Sequence, residues 1–501
     1  MIASEVAPFA KAGGLADVAG ALSKYLHRAG HDVRLFTPLY SQIDRPQFEW
    51  QRPPGMQELP LEFGGHRYRY SLWLARMPNS DAQVHFVDIP VLYARSGIYS
   101  DDADEHLRFL ALTRAAIECC QHFGWAPQVL HCNDWHTAFA PLLLRSVYAW
   151  DRLFAATRTL LTIHNIGYQG IFPAARAGDI GLGDAAHLLH QSDLAAGQVN
   201  SLKHGILYAD LVSTVSPTYA REILTPEFGM GLHAELSARA AHGGLVGILN
   251  GVDYEEWDPR WDRWLPKHYG PRELHVKAEL KALLLKRLEL HAAGDVLLLG
   301  IVSRFTAQKG LELLVDALPP LLEEGALACV ALGSGETRYE EHFAQLQRRF
   351  SRRVIFHRGY SDELAHWIEA ASDAFAMPSR YEPCGLNQMY SLRYGTIPIV
   401  RRTGGLADTV QMYDPATGTG NGIVFNDFDA AGLSWALRTA LQLYRQPAHW
   451  QRMMRNAMAA DYSWDRQGAH YERLYARLVN ATADRRDLGA AEKTAPTTNP
   501  D

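Results

Sequence analysis

The chain has 501 residues, more than a single hydrophobic core sustains, so two or three domains are expected. Hydrophobic residues make up 47% and charged residues 21%, which excludes the disordered and fibrous classes. A formal charge of −6 supplies no basic surface for nucleic acid or an acidic membrane.

The first segment, Ile2 to Val6, reads as a short strand, followed by a loop through Pro8 and Lys11 to Gly13-Gly14. Ser4, Glu5, Pro8 and Lys11 interrupt any early apolar stretch, so no signal peptide is expected. Leu15, Val18, Ala19, Leu22 and Leu26 share the buried face of a helix that Gly30 stops, and Asp32 to Thr37 resumes as a strand. This is an opening βαβ unit. The paired glycines let the backbone approach a ligand, and the helix start adds a partial positive end for phosphate; a packing turn is the alternative reading.

Residues 46–90 read as a β-rich insertion, with alternation over 66–73. Tyr99, Asp101 and Asp102 lie in a polar loop ahead of a helix over 106–123, where simple exposure explains them equally well. Residues 129–136 are a strand end running into a helix. His131 and His136 miss the one-turn spacing that would place both on one helix face, so no metal site is expected there. Residues 160–170 repeat the pattern of strand then polar loop, and they put His164 at the carboxyl end of a central strand, where ligands of parallel sheets sit. A further strand at 212–217 and the segment 248–253, with Asn250, close the first half.

The apolar run 297–302 opens the second half, and the loop after it carries Arg304 and Lys309 before a helix from Leu311. Two cations on one strand-to-helix loop can converge on a diphosphate, one as a planar fork and one as a point charge. Strands at 328–332, 354–357 and 373–377 alternate with helices, and Gly359-Tyr360-Ser361 follows the second of them. The stretch 373–410 then reads strand, loop, helix, strand, loop, helix. Glu382 falls just before a glycine that opens a helix, so a carboxylate for sugar hydroxyls and backbone N–H groups for an anion face one crevice. From Gly432 the chain is helical, and residues from about 484 read as a disordered tail.

The five cysteines, Cys119, Cys120, Cys132, Cys329 and Cys384, show no CxxC spacing, which argues against disulfides or structural zinc and for a reducing cytoplasm. No run of about 18 apolar residues suggests a membrane span.

The run EPCGLNQMYSLRYGTIPIVRRTGGLADTV resembles bacterial glycogen synthases and plant starch synthases, as do SEVAPFAKAGGLADV near the start and YSWDRQGAHYERLY near the end. The resemblance covers almost the whole chain, and it implies an α/β GT-B fold, two Rossmann-like domains with parallel sheets facing across a cleft. The expected division is residues 1–247, then 248–457, a helix over 458–482 returning to the first domain, and a tail over 483–501. The implied reaction is retaining transfer of glucose from ADP-glucose to the non-reducing 4-hydroxyl of an α-1,4-glucan such as glycogen. No metal or pyridoxal phosphate is implied.

Carried onto this sequence, the resemblance gives His164, Arg304, Lys309 and Glu382 the catalytic roles. It brings Lys11, Gly13 and Gly14 to the donor from the first domain, and Asn250 from the segment 248–253. From the second it adds Tyr360, Cys384, Gly385, Leu386 and Thr403, and it makes Asp17, Tyr99 and Asp134 candidates for the acceptor or cleft. Ala12 replaces the family's usual threonine. Glu382 stands at the first acid of the superfamily's Glu-x7-Glu signature, while Tyr390 occupies the second, which leaves the ribose contact unassigned. Two rival readings are a glucan phosphorylase with pyridoxal phosphate and a catalytically silent glucan-binding protein.

Overall fold

The computed structural model of the chain describes residues 1–291 and 296–493. It divides into two units, one of Met1–Val215, Ala220–Gly251 and Trp464–Asp501, the other of Ser216–Tyr219 and Val252–Ser463.

The first unit is built on parallel strands Arg34–Pro38, Val129–Asn133, Arg158–Ile163, Leu211–Thr214 and Leu245–Gly247. The strand expected over residues 2–6 is reduced to one residue. Ile2 bridges in parallel to both Cys132 and Phe36, joining the two halves of the sheet, whereas Val6 already pairs with Ala10 across a tight loop. The backbone of Val6 and Ala10 exchanges both hydrogen bonds, which closes the loop and ends the strand. The insertion is antiparallel as expected, with His66–Arg76 pairing to both Leu59–Phe63 and Gln83–Asp88. The helix Gly14–Arg28 buries Leu15, Val18, Leu22 and Leu26. Its apolar face meets Leu160 and Leu211 from the sheet and Trp464, Tyr471, Leu474 and Leu478 from the final helix, so the chain's end completes this unit's core.

The second unit holds a six-stranded parallel sheet in the order Val354–Arg358, Leu327–Gly335, Leu297–Phe305, Ala374–Met377, Ile397–Arg401, Ile423–Phe425. Its central strands are almost continuous apolar runs because helices cover both faces, the usual pattern of a buried parallel sheet. The polar loops follow the carboxyl ends of these strands.

The last helix spans Trp464–Lys493. It continues past residue 484, where the sequence reading sets an unstructured tail; Ala, Arg, Leu, Glu and Lys dominate this stretch, and all favour helix even without an apolar stripe. The remainder of that expected tail, residues 494–501, lies outside the described residues. Among the described residues no helix is long and apolar enough to cross a membrane.

Candidate active site

In the first unit the candidate groups gather where strands end. Gly13 caps the helix Gly14–Arg28, and the Glu5 carboxylate accepts hydrogen bonds from the amides of Gly13, at 2.9 Å, and Ala12. Burial pushes the Glu5 carboxyl above its usual range, and these two amide donors oppose that shift. Lys11 donates to Asp17 at 2.7 Å, so two residues singled out separately form one ion pair at the first turn of the helix. The Tyr99 hydroxyl lies 2.9 Å from Ser4 Oγ, and its ring stacks on His136 with centroids 4.9 Å apart.

Asp134 follows its strand with φ +54°, a left-handed conformation that turns its carboxylate back over the neighbouring strand end. There its Oδ1 accepts from the amides of His164, at 2.7 Å, and Asn165, at 3.3 Å. Burial raises Asp134 to about 7 despite both bonds. Burial likewise lowers His164 to about 3, so its imidazole is neutral near pH 7. The tautomer follows from the network. Asn133 donates through Nδ2 to the carbonyl of Ile2 at 3.0 Å, which leaves its Oδ1 to accept from His164 Nε2–H at 2.9 Å. Nδ1 of His164 is then the acceptor. Asn250, also buried, has a side-chain oxygen with no hydrogen-bond partner among the described residues, an arrangement a sugar hydroxyl would satisfy.

His131, on the strand that precedes Asp134, is structural. Its Nδ1 lies 2.8 Å from the Tyr475 hydroxyl and its Nε2 2.6 Å from Thr162 Oγ1. Among the described residues no group of three or more His, Cys, Asp or Glu side chains is arranged to hold a metal.

In the second unit three loops interlock at the carboxyl edge of the sheet, and glycines permit it. A Cβ on Gly310, at φ +64°, would lie 1.9 Å from the carbonyl oxygen of Pro378. One on Gly404, at φ +43°, would lie 1.9 Å from that of Glu382, and one on Gly405 2.1 Å from that of Cys384. Only glycine allows these approaches. The lock sets Lys309 against Glu382 at 2.7 Å, with Ser379 Oγ donating to the same carboxylate oxygen at 2.9 Å. Glu382 is 4% exposed, so its charge depends on these partners.

Gly385 takes φ +73° and Leu386 caps the helix Asn387–Tyr394, which places buried Cys384 and the two following residues at that helix start. Thr403, also buried, caps the helix Gly404–Thr409. Arg304 is exposed near the end of its strand. Tyr360 keeps a 60% exposed ring and donates to Asp362 at 2.6 Å. Tyr390, in place of the second acid, is a buried ring stacked on Trp257, with centroids 4.0 Å apart.

Sequence reasoning missed Glu5 and Asn133 as site groups. Nothing in their local pattern marks them, since each acts through a residue distant in the chain or across a loop.

Comparison with known proteins identifies the family. Residues 1–238 match the family model described as starch synthase catalytic domain, and residues 286–457 match that of glycosyl transferases group 1. The glycogen synthase of Anaeromyxobacter dehalogenans (strain 2CP-C) is 44% identical over 95% of this chain and 99% of its own. That of Thermotoga maritima is 40% identical over 95% and 98%. Among solved structures, the catalytic domain of starch synthase IV from Arabidopsis thaliana, bound to ADP and acarbose, superposes with a TM-score of 0.89 at 36% identity, covering 96% of this chain and 98% of that one. A sucrose-phosphate synthase from Thermosynechococcus elongatus, at 19% identity and TM-score 0.59 over 94% of each chain, shares the fold alone. With its α/β GT-B fold and these relatives along nearly its full length, the chain belongs to the glycogen synthase and starch synthase family of glycosyltransferases.

Proposed function

We propose that this glycogen synthase uses ADP-glucose as donor and adds its glucose, with retention of anomeric configuration, to the non-reducing 4-hydroxyl of an α-1,4-glucan. The observation that carries the reading is the Lys309–Glu382 pair, fixed by glycine-locked loops at the carboxyl edge of a parallel sheet. The ADP in the starch synthase IV structure supports adenine as the base.

Breaking the bond from glucose to phosphate develops positive charge on the sugar and added negative charge on the departing diphosphate. We assign the stabilisation of that negative charge to Arg304, Lys309, the amides at the Gly385-Leu386 helix start, Lys11 and the Gly13-Gly14 loop. Glu382 accepts hydrogen bonds from glucose hydroxyls. Neutral His164 and Asn250 present acceptors to the sugar, and Asp134 holds the His164 backbone in place. Tyr360 lies by the base, and Thr403 by the diphosphate. Asp17 and Tyr99 serve the glucan acceptor. The acceptor proton passes to the diphosphate oxygen as the new glycosidic bond forms on the same face. These cations do the work a metal does in other transferases, and the reading invokes neither a metal nor pyridoxal phosphate. Five buried free thiols fit a reducing cytoplasm.

The test is ADP release with glycogen, run beside UDP-glucose. ADP-glucose is expected to be the better donor, and Lys309→Ala and Glu382→Ala to lower kcat/KM by about 100-fold to 1,000-fold with the fold intact. Near-normal rates in both variants refute the site, and a preference for UDP-glucose refutes the donor.

A further inference from the structure

Trp257 lies in the second unit, in a segment that belongs to neither a strand nor a helix, yet it is only 5% exposed. His366 stacks on its indole with centroids 3.8 Å apart and planes at 12°, and Tyr390 stacks at 4.0 Å and 1°. The two partners come from different helices, His366 from Asp362–Ala371 and Tyr390 from Asn387–Tyr394. His366 is itself held, because its Nδ1 lies 2.8 Å from Asp262 Oδ2, an oxygen that also accepts from the Tyr394 hydroxyl at 2.6 Å. The other oxygen of Asp262 accepts from the Trp264 amide at 2.9 Å. A second tie joins the same helices, Ser391 Oγ to Glu369 Oε2 at 2.7 Å.

Both helices begin at candidate donor groups. The first starts at Ser361, whose side chain caps it, directly after Tyr360; the second starts at Leu386, directly after Cys384 and Gly385. The indole therefore acts as a spacer between two helices whose starts carry the groups assigned to the base and to the diphosphate.

We propose that Trp257 is a positioning residue for the nucleotide-sugar donor: by stacking with His366 and Tyr390 it sets the separation of the Tyr360 and Gly385-Leu386 helix starts. This rests on the donor reading above. It also gives Tyr390 a task, since a carboxylate at that place would not stack on an indole. A spacer that touches neither the donor nor the reacting atoms governs how well base and diphosphate are gripped together, so its loss is read in donor affinity ahead of turnover.

The test uses the full-length chain and the variants Trp257→Leu, Trp257→Phe and Tyr390→Leu. Donor KM and kcat with glycogen, the ADP dissociation constant by calorimetry, and Tm are measured for each. Trp257→Leu and Tyr390→Leu are expected to raise the donor KM and the ADP dissociation constant by about 10-fold, with kcat within about 3-fold of wild type. Trp257→Phe, which keeps a ring, is expected to stay within about 3-fold in all three constants. Leu314→Ala, a fully buried core change in the same unit, is the control and lowers Tm without moving KM.

Unchanged KM and ADP binding in Tyr390→Leu, or in Trp257→Leu where it folds, overturns the proposal and leaves the stack as packing. A fall in kcat with KM unmoved overturns it as well. If the wild type turns over UDP-glucose and ignores ADP-glucose, the donor reading fails. The same KM shift measured on UDP-glucose then supports Trp257, and its absence overturns it.

Discussion

Asp134 and His164 are joined by a backbone hydrogen bond, and burial moves them in opposite directions. Asp134 rises from 3.8 to about 7, so between those values the folded chain keeps a proton that the unfolded chain has lost, and its contribution to stability falls as pH rises. His164 drops from 6.5 to about 3, so in that window the unfolded chain holds the extra proton, and stability falls as pH is lowered. The two slopes largely cancel near pH 5. Asp134→Asn is therefore expected to gain on the wild type as pH rises from 4 to 7, by up to about 4 kcal/mol, and His164→Gln to gain as pH falls from 6.5 to 4. Urea midpoints across that range check both, and a pH-independent difference in either refutes the assigned shift. The Lys309–Glu382 pair makes a second case. Lys309→Met strands a buried carboxylate and is expected to cost about 3 kcal/mol, whereas Lys309→Met with Glu382→Gln removes both charges and recovers most of it. A double-mutant cycle with no coupling contradicts the pairing.

These residues were legible for a simple reason. His164 and Glu382 each follow an apolar run, and in a parallel sheet that position is where ligands bind. Glu5, Asn133 and Trp257 were not, since their partners are the amides of a loop, a histidine 31 positions away and rings on two helices. At the scale of elements the same contrast holds. The apolar run 297–302 and the alternation over 66–73 announce their strands, while the first strand shrinks to Ile2 because the chain folds back on itself at Val6. Conversely, the last helix runs to Lys493 on propensity where the apolar stripe has faded. The glycines of the three interlocked loops show what an element-level lesion does. Gly310→Ala and Gly404→Ala force a Cβ to within 1.9 Å of a carbonyl at positive φ, and each is expected to cost at least about 3 kcal/mol and most of the activity. Gly178→Ala meets nothing within 4 Å and serves as the neutral control. Thermal midpoints with glucan elongation rates separate the three, and a neutral Gly404→Ala refutes the locked-loop account. Chelator treatment is expected to leave elongation unchanged, because the charge stabilisation is assigned to Arg304, Lys309 and backbone amides; a loss restored by added divalent cation contradicts that assignment.

At the scale of the whole molecule, the order of the chain and the composition of the units differ, and stability follows the latter. Residues 216–219 belong to the second unit because Ser216 Oγ donates to the carbonyl of Pro383 at 2.7 Å and the Thr218 amide to Asp408 at 2.8 Å, contacts no local pattern announces. The final helix belongs to the first unit in the same way. Trp464, Tyr471, Leu474 and Leu478 are all buried against the first helix and Leu160, the Tyr475 hydroxyl meets His131, and the Tyr25 hydroxyl donates to Glu472 at 2.7 Å. Four buried apolar side chains contribute roughly 8 kcal/mol, comparable to the whole stability of a domain. A chain ending at Ser463 is thus expected to lose the first unit and keep the second, although the deleted residues follow the second in sequence. Hydrogen exchange reads this directly. The amides of Arg158–Ile163 should lose protection while those of Leu297–Phe305 retain it, and intact protection over Arg158–Ile163 would show that the first unit closes its core without the helix.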